Sequence, residues 1–274
     1  MTAPKAAKHP IIRTFHGRDF HDDYEWLRDK DNPEVIEYLE AENAYTEKKT
    51  SAWSGLADDI YAEIKSRIKE TDMSVPQRQG DWWYYGRTVE GKNYGISCRV
   101  PTADDPWTPP EVSEHMSDEQ VLLDVNELAD GHEFFSLGAS SVSTSGRLLA
   151  YSFDTEGSER FTMRIKNLET GELLDDQLDG VFYGATWAGE DYLFYVRVDD
   201  AWRPYQVWRH QVGTDAAEDV LVYEEADEKF GVGVGADRAE RYLCIAASSS
   251  LTSEYRVLPM SDPAGEFKVM WPRE

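Results

Sequence analysis

Arg147–Gly171 reads RLLAYSFDTEGSERFTMRIKNLETG. An apolar run from Leu148 to Phe153 gives way to a turn-rich patch, Asp154 to Glu159. A second run follows, in which Phe161, Met163 and Ile165 alternate with Thr162, Arg164 and Lys166. Such alternation marks a half-buried β-strand, because successive side chains leave opposite faces of the pleat. The polar stretch between the runs reads as the turn of a hairpin.

The hairpin recurs. Leu149 and Phe161 stand at the same interval as Trp82 and Tyr94, Leu193 and Tyr205, and Leu243 and Tyr255. Each interval opens with an apolar strand and passes through a polar turn into a second strand: WWYYGRTVEGKNYGISCRV, YLFYVRVDDAWRPYQVWRH and YLCIAASSSLTSEYRVLPM. Where no long loop intervenes the copies lie roughly 45 residues apart, a period that points to β-propeller blades. Inner strands are expected at Phe134 to Leu137, Phe182 to Trp187 and Phe230 to Val234. Outer strands are expected at Leu173-Leu174, Val220 to Tyr223 and Phe267 to Trp271, with Val121 to Val125 closing the first blade. Pro101 to Gln120 contains four prolines and reads as an exposed loop. Asn126 to His132 reads as a polar connection.

Before the hairpins the periodicity changes. Residues 1 to 30 read as irregular, with Tyr24, Trp26 and Leu27 as anchors. Asn32-Pro33 starts a helix that should run to about Lys49, since Asn is a favoured N-cap and Pro at the first helical position loses no hydrogen bond. Ser54 should cap a second helix, in which Leu56, Ile60, Ile64 and Ile68 form a stripe that needs a partner surface. Glu70 to Gln79 lacks periodicity and reads as a linker. The expected architecture is mainly β: a helical arm over residues 1–73, then a partial β-propeller of about four four-stranded blades over residues 74–274.

Net charge is −25, which argues against nucleic acid or an anionic membrane as partner, since both select a cationic face. It suits a basic peptide. Asp199, Asp200, Glu224, Glu225, Asp227 and Glu228 are candidates for steering such a peptide to the propeller mouth, but a solvated loop rim is the simpler reading. Cys98 and Cys244 fall in strands of different repeats and read as small buried hydrophobes, a usage suited to a reducing, cytoplasmic compartment. Met1 to His9 lacks the apolar centre of a signal peptide, and no run is long enough to span a bilayer.

No motif for chemistry survives inspection. A nucleophile elbow needs glycines on both sides of its serine, as Gly-x-Ser-x-Gly. Gly95 to Arg99 and Gly138 to Val142 each lack the second one. Gly231 to Gly235 has the wrong spacing for a dinucleotide loop and reads as an inner strand where space is tight. His16, His21, Asp22 and Asp23 match no standard metal site, and Gly131 is misplaced for a calcium loop in Asp124 to Glu133. His132 and His210 read as hydrogen-bonded structural residues. No catalytic, cofactor-binding or metal-binding residue is assigned, and no cofactor is expected.

Asp23-Tyr24-Glu25-Trp26-Leu27-Arg28-Asp29 and Tyr38-Leu39-Glu40-Ala41-Glu42-Asn43-Ala44-Tyr45-Thr46 resemble the opening of the prolyl oligopeptidase family of serine peptidases. So do Ser74-Val75-Pro76, Gly91 to Tyr94 with Cys98-Arg99, Leu123 to Asn126, Arg203-Pro204-Tyr205 with Val207 to His210, and Thr252-Ser253-Glu254. The branch resembled most is oligopeptidase B. The resemblance implies a two-part enzyme. In it a seven-bladed propeller restricts access to short peptides, and an α/β-hydrolase domain carries the Ser, Asp and His triad and cuts after Arg or Lys. On this reading the present chain is the N-terminal arm and blades one to four of a cytoplasmic peptidase. Its arm packs on its own C-terminal hydrolase domain, and it is inactive alone. Two rival readings are a post-proline peptidase of the same family and a non-catalytic propeller that serves as a binding scaffold.

Overall fold

The computed structural model of the protein describes residues 2–111, 113 and 116–274. The chain forms two compact units, Met1–Lys69 and Glu70–Glu274.

The first unit opens with a hairpin, β1 (Ile11–Phe15) paired antiparallel with β2 (Arg18–Asp22). Its turn is His16-Gly17, both with positive φ (50° and 74°), the backbone of a tight two-residue hairpin. An irregular opening was expected, and the hairpin corrects it. Ile11, Ile12, Phe15 and Phe20 are all exposed, so the stretch lacks the one-sided burial that makes a strand readable. The helix α1 (Pro33–Thr50) begins where predicted, with the Asn32 side chain accepting the Glu34 N–H at 3.0 Å. A 3₁₀ turn, Ser51–Trp53, runs directly into α2 (Ser54–Ser66). Ser54 is therefore the first helical residue and not a cap. Its N–H is already taken by the Ser51 carbonyl, and its hydroxyl donates to the same oxygen at 3.1 Å. The helix ends before Ile68, which was expected in its stripe; Leu56, Ile60, Ile64 and Ile68 are 48–61% exposed.

Among its described residues, the second unit is four sheets, each of four antiparallel strands joined in sequence order. Blade one is β3 (Gln77–Gln79), β4 (Trp82–Arg87), β5 (Ile96–Pro101) and β6 (Gln120–Asp124). A one-turn helix, α3 (Val125–Leu128), capped by the Asp124 side chain, starts the connection read as merely polar. Blade two is β7 (Ser136–Val142), β8 (Leu148–Asp154), β9 (Phe161–Asn167) and β10 (Leu173–Val181). Blade three is β11 (Thr186–Ala188), β12 (Tyr192–Val198), β13 (Pro204–Gln211) and β14 (Val220–Glu224). Blade four is β15 (Gly231–Ala236), β16 (Tyr242–Ser248), β17 (Ser253–Pro259) and β18 (Lys268–Trp271).

The core lies in the seams between blades. Leu122, Leu149, Tyr151 and Leu168 fill the first seam, with Tyr84 against them. Phe161, Met163, Ile165 and Leu178 meet Trp187, Leu193 and Tyr195 in the second. Phe194, Val196 and Val207 meet Val232, Leu243, Ile245 and Leu258 in the third. A separate cluster, Trp83, Tyr85, Ile96, Cys98 and Val100, covers the other face of blade one. Each fully buried aliphatic or aromatic side chain contributes about 1.5–3 kcal/mol.

Leu149, Leu193 and Leu243 each point from the second strand of a blade toward the blade before it. The residue of blade one that points the same way is Trp83, so matching Trp82 to these leucines was one residue out. A one-residue slip in a strand exchanges its faces, and Trp82 instead meets Gly146, in the first turn of blade two.

The innermost strands depart most from expectation. Gln77–Gln79 comes from the segment read as a linker. β7 and β11 lie further along the chain than the strands expected at Phe134 to Leu137 and Phe182 to Trp187. Phe134, Phe135 and Phe182 sit instead in the connections, where Phe135 stacks on Phe153 at 5.7 Å. On β7 space is short: a Cβ on Gly138 would fall 2.5 Å from the Phe161 ring. On β15 the same argument fails, since a Cβ on Gly233 or Gly235 would meet nothing within 4 Å.

Candidate functional site

The first strands of the four blades converge. Gln79, Ser141, Thr144, Thr186, Trp187 and Ala236, drawn from all four blades, line a cavity of about 210 Å³. The Trp187 indole is fixed by donating to the Ser141 carbonyl at 2.8 Å. Glu240 is the sole ionisable residue of the lining. A larger cleft of about 600 Å³ runs between blades one and two, bordered by Gln77, Tyr84, Ser97, Cys98 and Ser140. Hydroxyls, amides and aromatic edges on both walls can exchange hydrogen bonds with a peptide backbone. Neither lining offers a histidine, and the one carboxylate, Glu240, has no acid–base partner among the lining residues, so no proton-transferring pair stands in either cavity.

The candidate nucleophiles are inert where they stand. Ser97 lies within β5 and Ser140 within β7, on continuous strands and not on a strand-to-helix turn. Burial pushes the Cys98 thiol up to about 12, with Glu119 adding to it, so thiolate is scarce. Burial raises Cys244 as well. Both cysteines are free.

His210 is wholly buried on β13. Its Nδ1 lies 2.6 Å from Asp219 Oδ1 and its Nε2 2.8 Å from Asp176 Oδ1. Both ring nitrogens are thus committed, and none is left to activate a hydroxyl. His132 lies beside the Phe135 ring at 6.2 Å. Of the residues weighed for metal, Asp22 pairs with Arg13 and Asp23 with Lys8, at 3.0 and 2.7 Å. Asp124 caps α3. Among the described residues no three His, Cys, Asp or Glu side chains come together as a metal group.

The acidic stretch read as a solvated rim is partly structural. Asp199 accepts the N–H groups of Ala201 and Arg203 and the Arg203 Nε, so it builds its own turn. Glu225 is 5% exposed and holds Arg273 at 2.5 Å, with the Tyr223 hydroxyl at 2.8 Å. Burial alone would raise the Glu225 carboxyl. The Arg273 bond, the Asp227 N–H and Tyr223 outweigh it and bring it down to about 2. Sequence reasoning missed Arg203, whose Nη1 donates to the carbonyls of Glu225 and Phe230 and pins the connection between blades three and four. Next to Arg203, in the turn between β12 and β13, Trp202 has φ 60°, a backbone that few non-glycine residues adopt. Among the described residues no helix is long and apolar enough to cross a membrane.

A family profile described as "Prolyl oligopeptidase, N-terminal beta-propeller domain" matches residues 4–274. The chain is 40% identical to the dipeptidyl aminopeptidase BI of Pseudoxanthomonas mexicana, over all of this chain and 39% of that protein. It is 34% identical to Protease 2 of Moraxella lacunata, over 98% of this chain and 39% of that protein. Among solved structures, oligopeptidase B from Leishmania major superposes with a TM-score of 0.88 at 32% identity, covering all of this chain and 40% of the other. The chain therefore spans about two fifths of the length of the peptidases it matches. It belongs to the prolyl oligopeptidase family, and its residues 4–274 correspond to that family's N-terminal β-propeller domain.

Proposed function

We propose that this chain is the substrate-admitting part of a serine endopeptidase that cleaves short peptides after Arg or Lys. The observation that carries the reading is the whole-chain superposition on oligopeptidase B at a TM-score of 0.88. The propeller would limit substrate size through its axis, where Gln79, Ser141, Thr144 and Thr186 share the lining with apolar residues such as Val142, Trp187 and Met260 and no proton-transferring pair stands among them. Nucleophile, base and oxyanion donors would come from a hydrolase domain outside these residues, and the arm would pack on that domain. The acidic surface would draw basic peptides inward at low ionic strength. We place the enzyme in the cytoplasm.

A second reading has its own support. The relative with 40% identity is named a dipeptidyl aminopeptidase, so release of dipeptides from a free amino terminus competes with internal cleavage. Fluorogenic peptides with Arg, Lys or Pro before the scissile bond, each with a free or an acetylated amino terminus, separate the readings on the protein carrying this chain. Turnover of acetylated Arg and Lys substrates is expected, and the 274-residue chain alone should leave all of them intact. Cleavage confined to free amino termini, or to Pro, would overturn the proposal.

A further inference from the structure

The seam between blades two and three contains a closed polar cluster that no part of the proposed peptidase chemistry uses. His210 and Asp176 are 0% and 2% exposed at their side chains, and Asp219 is 1% exposed. Asp176 comes from β10, the outermost strand of blade two. His210 comes from β13 of blade three, and Asp219 from the residue just before β14. The imidazole thus crosses from blade three to blade two.

The hydrogen-bond arithmetic decides the proton count. Asp176 Oδ1 also accepts the Gly213 N–H at 2.6 Å, and Asp219 Oδ2 accepts the Tyr195 hydroxyl at 2.8 Å. A neutral imidazole has one N–H and one lone pair. In this cage the lone pair would face a carboxylate oxygen at 2.6 or 2.8 Å, two acceptors with nothing between them. With both nitrogens protonated, each carboxylate receives two donors and one of the two buried negative charges is neutralised. Asp176, Asp219 and Tyr195 are the titratable groups bonded within the cluster, and Arg197 lies behind the Tyr195 ring at 5.6 Å.

We propose that His210, Asp176 and Asp219 form a proton-held latch between blades two and three, closed while the imidazole is charged and loosened when it loses its proton. The direction of titration agrees. Burial opposes the charged ring, but the bonds from Asp219 and Asp176 outweigh it and raise the His210 pKa above its ordinary value. A group raised in the folded state stabilises fully below its unfolded value near 6.5. That stabilisation is lost as pH climbs through the folded value. The second seam should therefore weaken on the alkaline side, while the other seams, which hold no buried histidine among the described residues, do not follow.

The test is hydrogen exchange and thermal melting of the protein carrying this chain, from neutral to alkaline pH. In the wild-type protein the segment around Gly213 should exchange faster with pH than in direct proportion to hydroxide, and segments in the third seam should follow hydroxide alone. The melting temperature should fall over the same range. In His210→Gln this fall should flatten. If that variant does not fold, Asp176→Asn, which leaves one carboxylate on the ring, should move the onset of the fall to lower pH. Exchange at Gly213 proportional to hydroxide, or an unchanged pH slope in the folded variants, would overturn the latch.

Discussion

Arg99 shows what a single side chain does at a blade boundary. It is 2% exposed, yet it sits in a strand whose neighbours are apolar. Its Nε donates to Gln120 at 2.7 Å, its Nη1 to the Gly146 carbonyl at 2.5 Å, and its guanidinium lies 3.8 Å over the Trp82 ring. The charge is held by carbonyl dipoles and a π-face, which a planar guanidinium can use together and an ammonium cannot. Alternation read from the sequence assigns such a residue to solvent, so its role becomes visible only when the turn of the next blade is in place. Glu225 was misjudged in the same way, since an acidic run looks like a rim until Arg273 and Tyr223 are seen closing on it. Its depressed carboxyl predicts an acid limb. A group lowered from its ordinary value to about 2 stabilises above pH 4.5 and ceases to do so as pH falls toward 2. The loss is roughly 3 kcal/mol across that window. Denaturation curves of Glu225→Gln should show lower stability at neutral pH and a flatter acid limb. An unchanged limb would mean that the Arg273 pair contributes nothing.

At the scale of elements, the hairpins were legible and β15 was read within two residues of its place, whereas the first strands of the other blades were displaced or missed. A strand buried on alternate faces writes that burial into its sequence, as Phe161, Met163 and Ile165 do. A strand beside the axis carries small or polar residues: Gln77–Gln79 reads QRQ and β7 reads SLGASSV. It leaves no period to find. The helix α2 is the opposite case, an amphipathic pattern written clearly whose apolar side stays open. Leu56, Ile60, Ile64 and Ile68 contribute little to the chain's own stability at 48–61% exposure. Replacing Ile60 and Ile64 with Gln should therefore shift the unfolding free energy of the 274-residue chain by less than about 0.5 kcal/mol per site. It should also reduce concentration-dependent association, because it removes contiguous exposed apolar surface. Light scattering across a dilution series checks this. A marked loss of stability would show that the stripe is already covered.

At the scale of the second unit, the seams impose an order on the chain. Each blade shares its apolar residues with the next: Leu149 serves the first seam, Leu193 the second and Leu243 the third, all at 0% exposure. Stability in such an array is a sum of blade terms and nearest-neighbour interface terms. A cavity in one seam should then be felt on its two sides and fade beyond them. Leu193→Ala removes a buried side chain at a cost of about 2–5 kcal/mol. Hydrogen exchange in that variant should rise in β8, β9, β12 and β13 and leave β4 and β5 close to wild type. Leu243→Ala should move the rise to blades three and four. Equal loss of protection in all four blades would show that the unit unfolds as one body and that the seams are not separate interfaces. The legible part of the sequence bears on this outcome directly. The recurring hairpin revealed that the blades are repeats, but the identity of each partner across a seam is a matter of face. The single-residue offset between Trp82 and Trp83 shows how easily that is lost without coordinates.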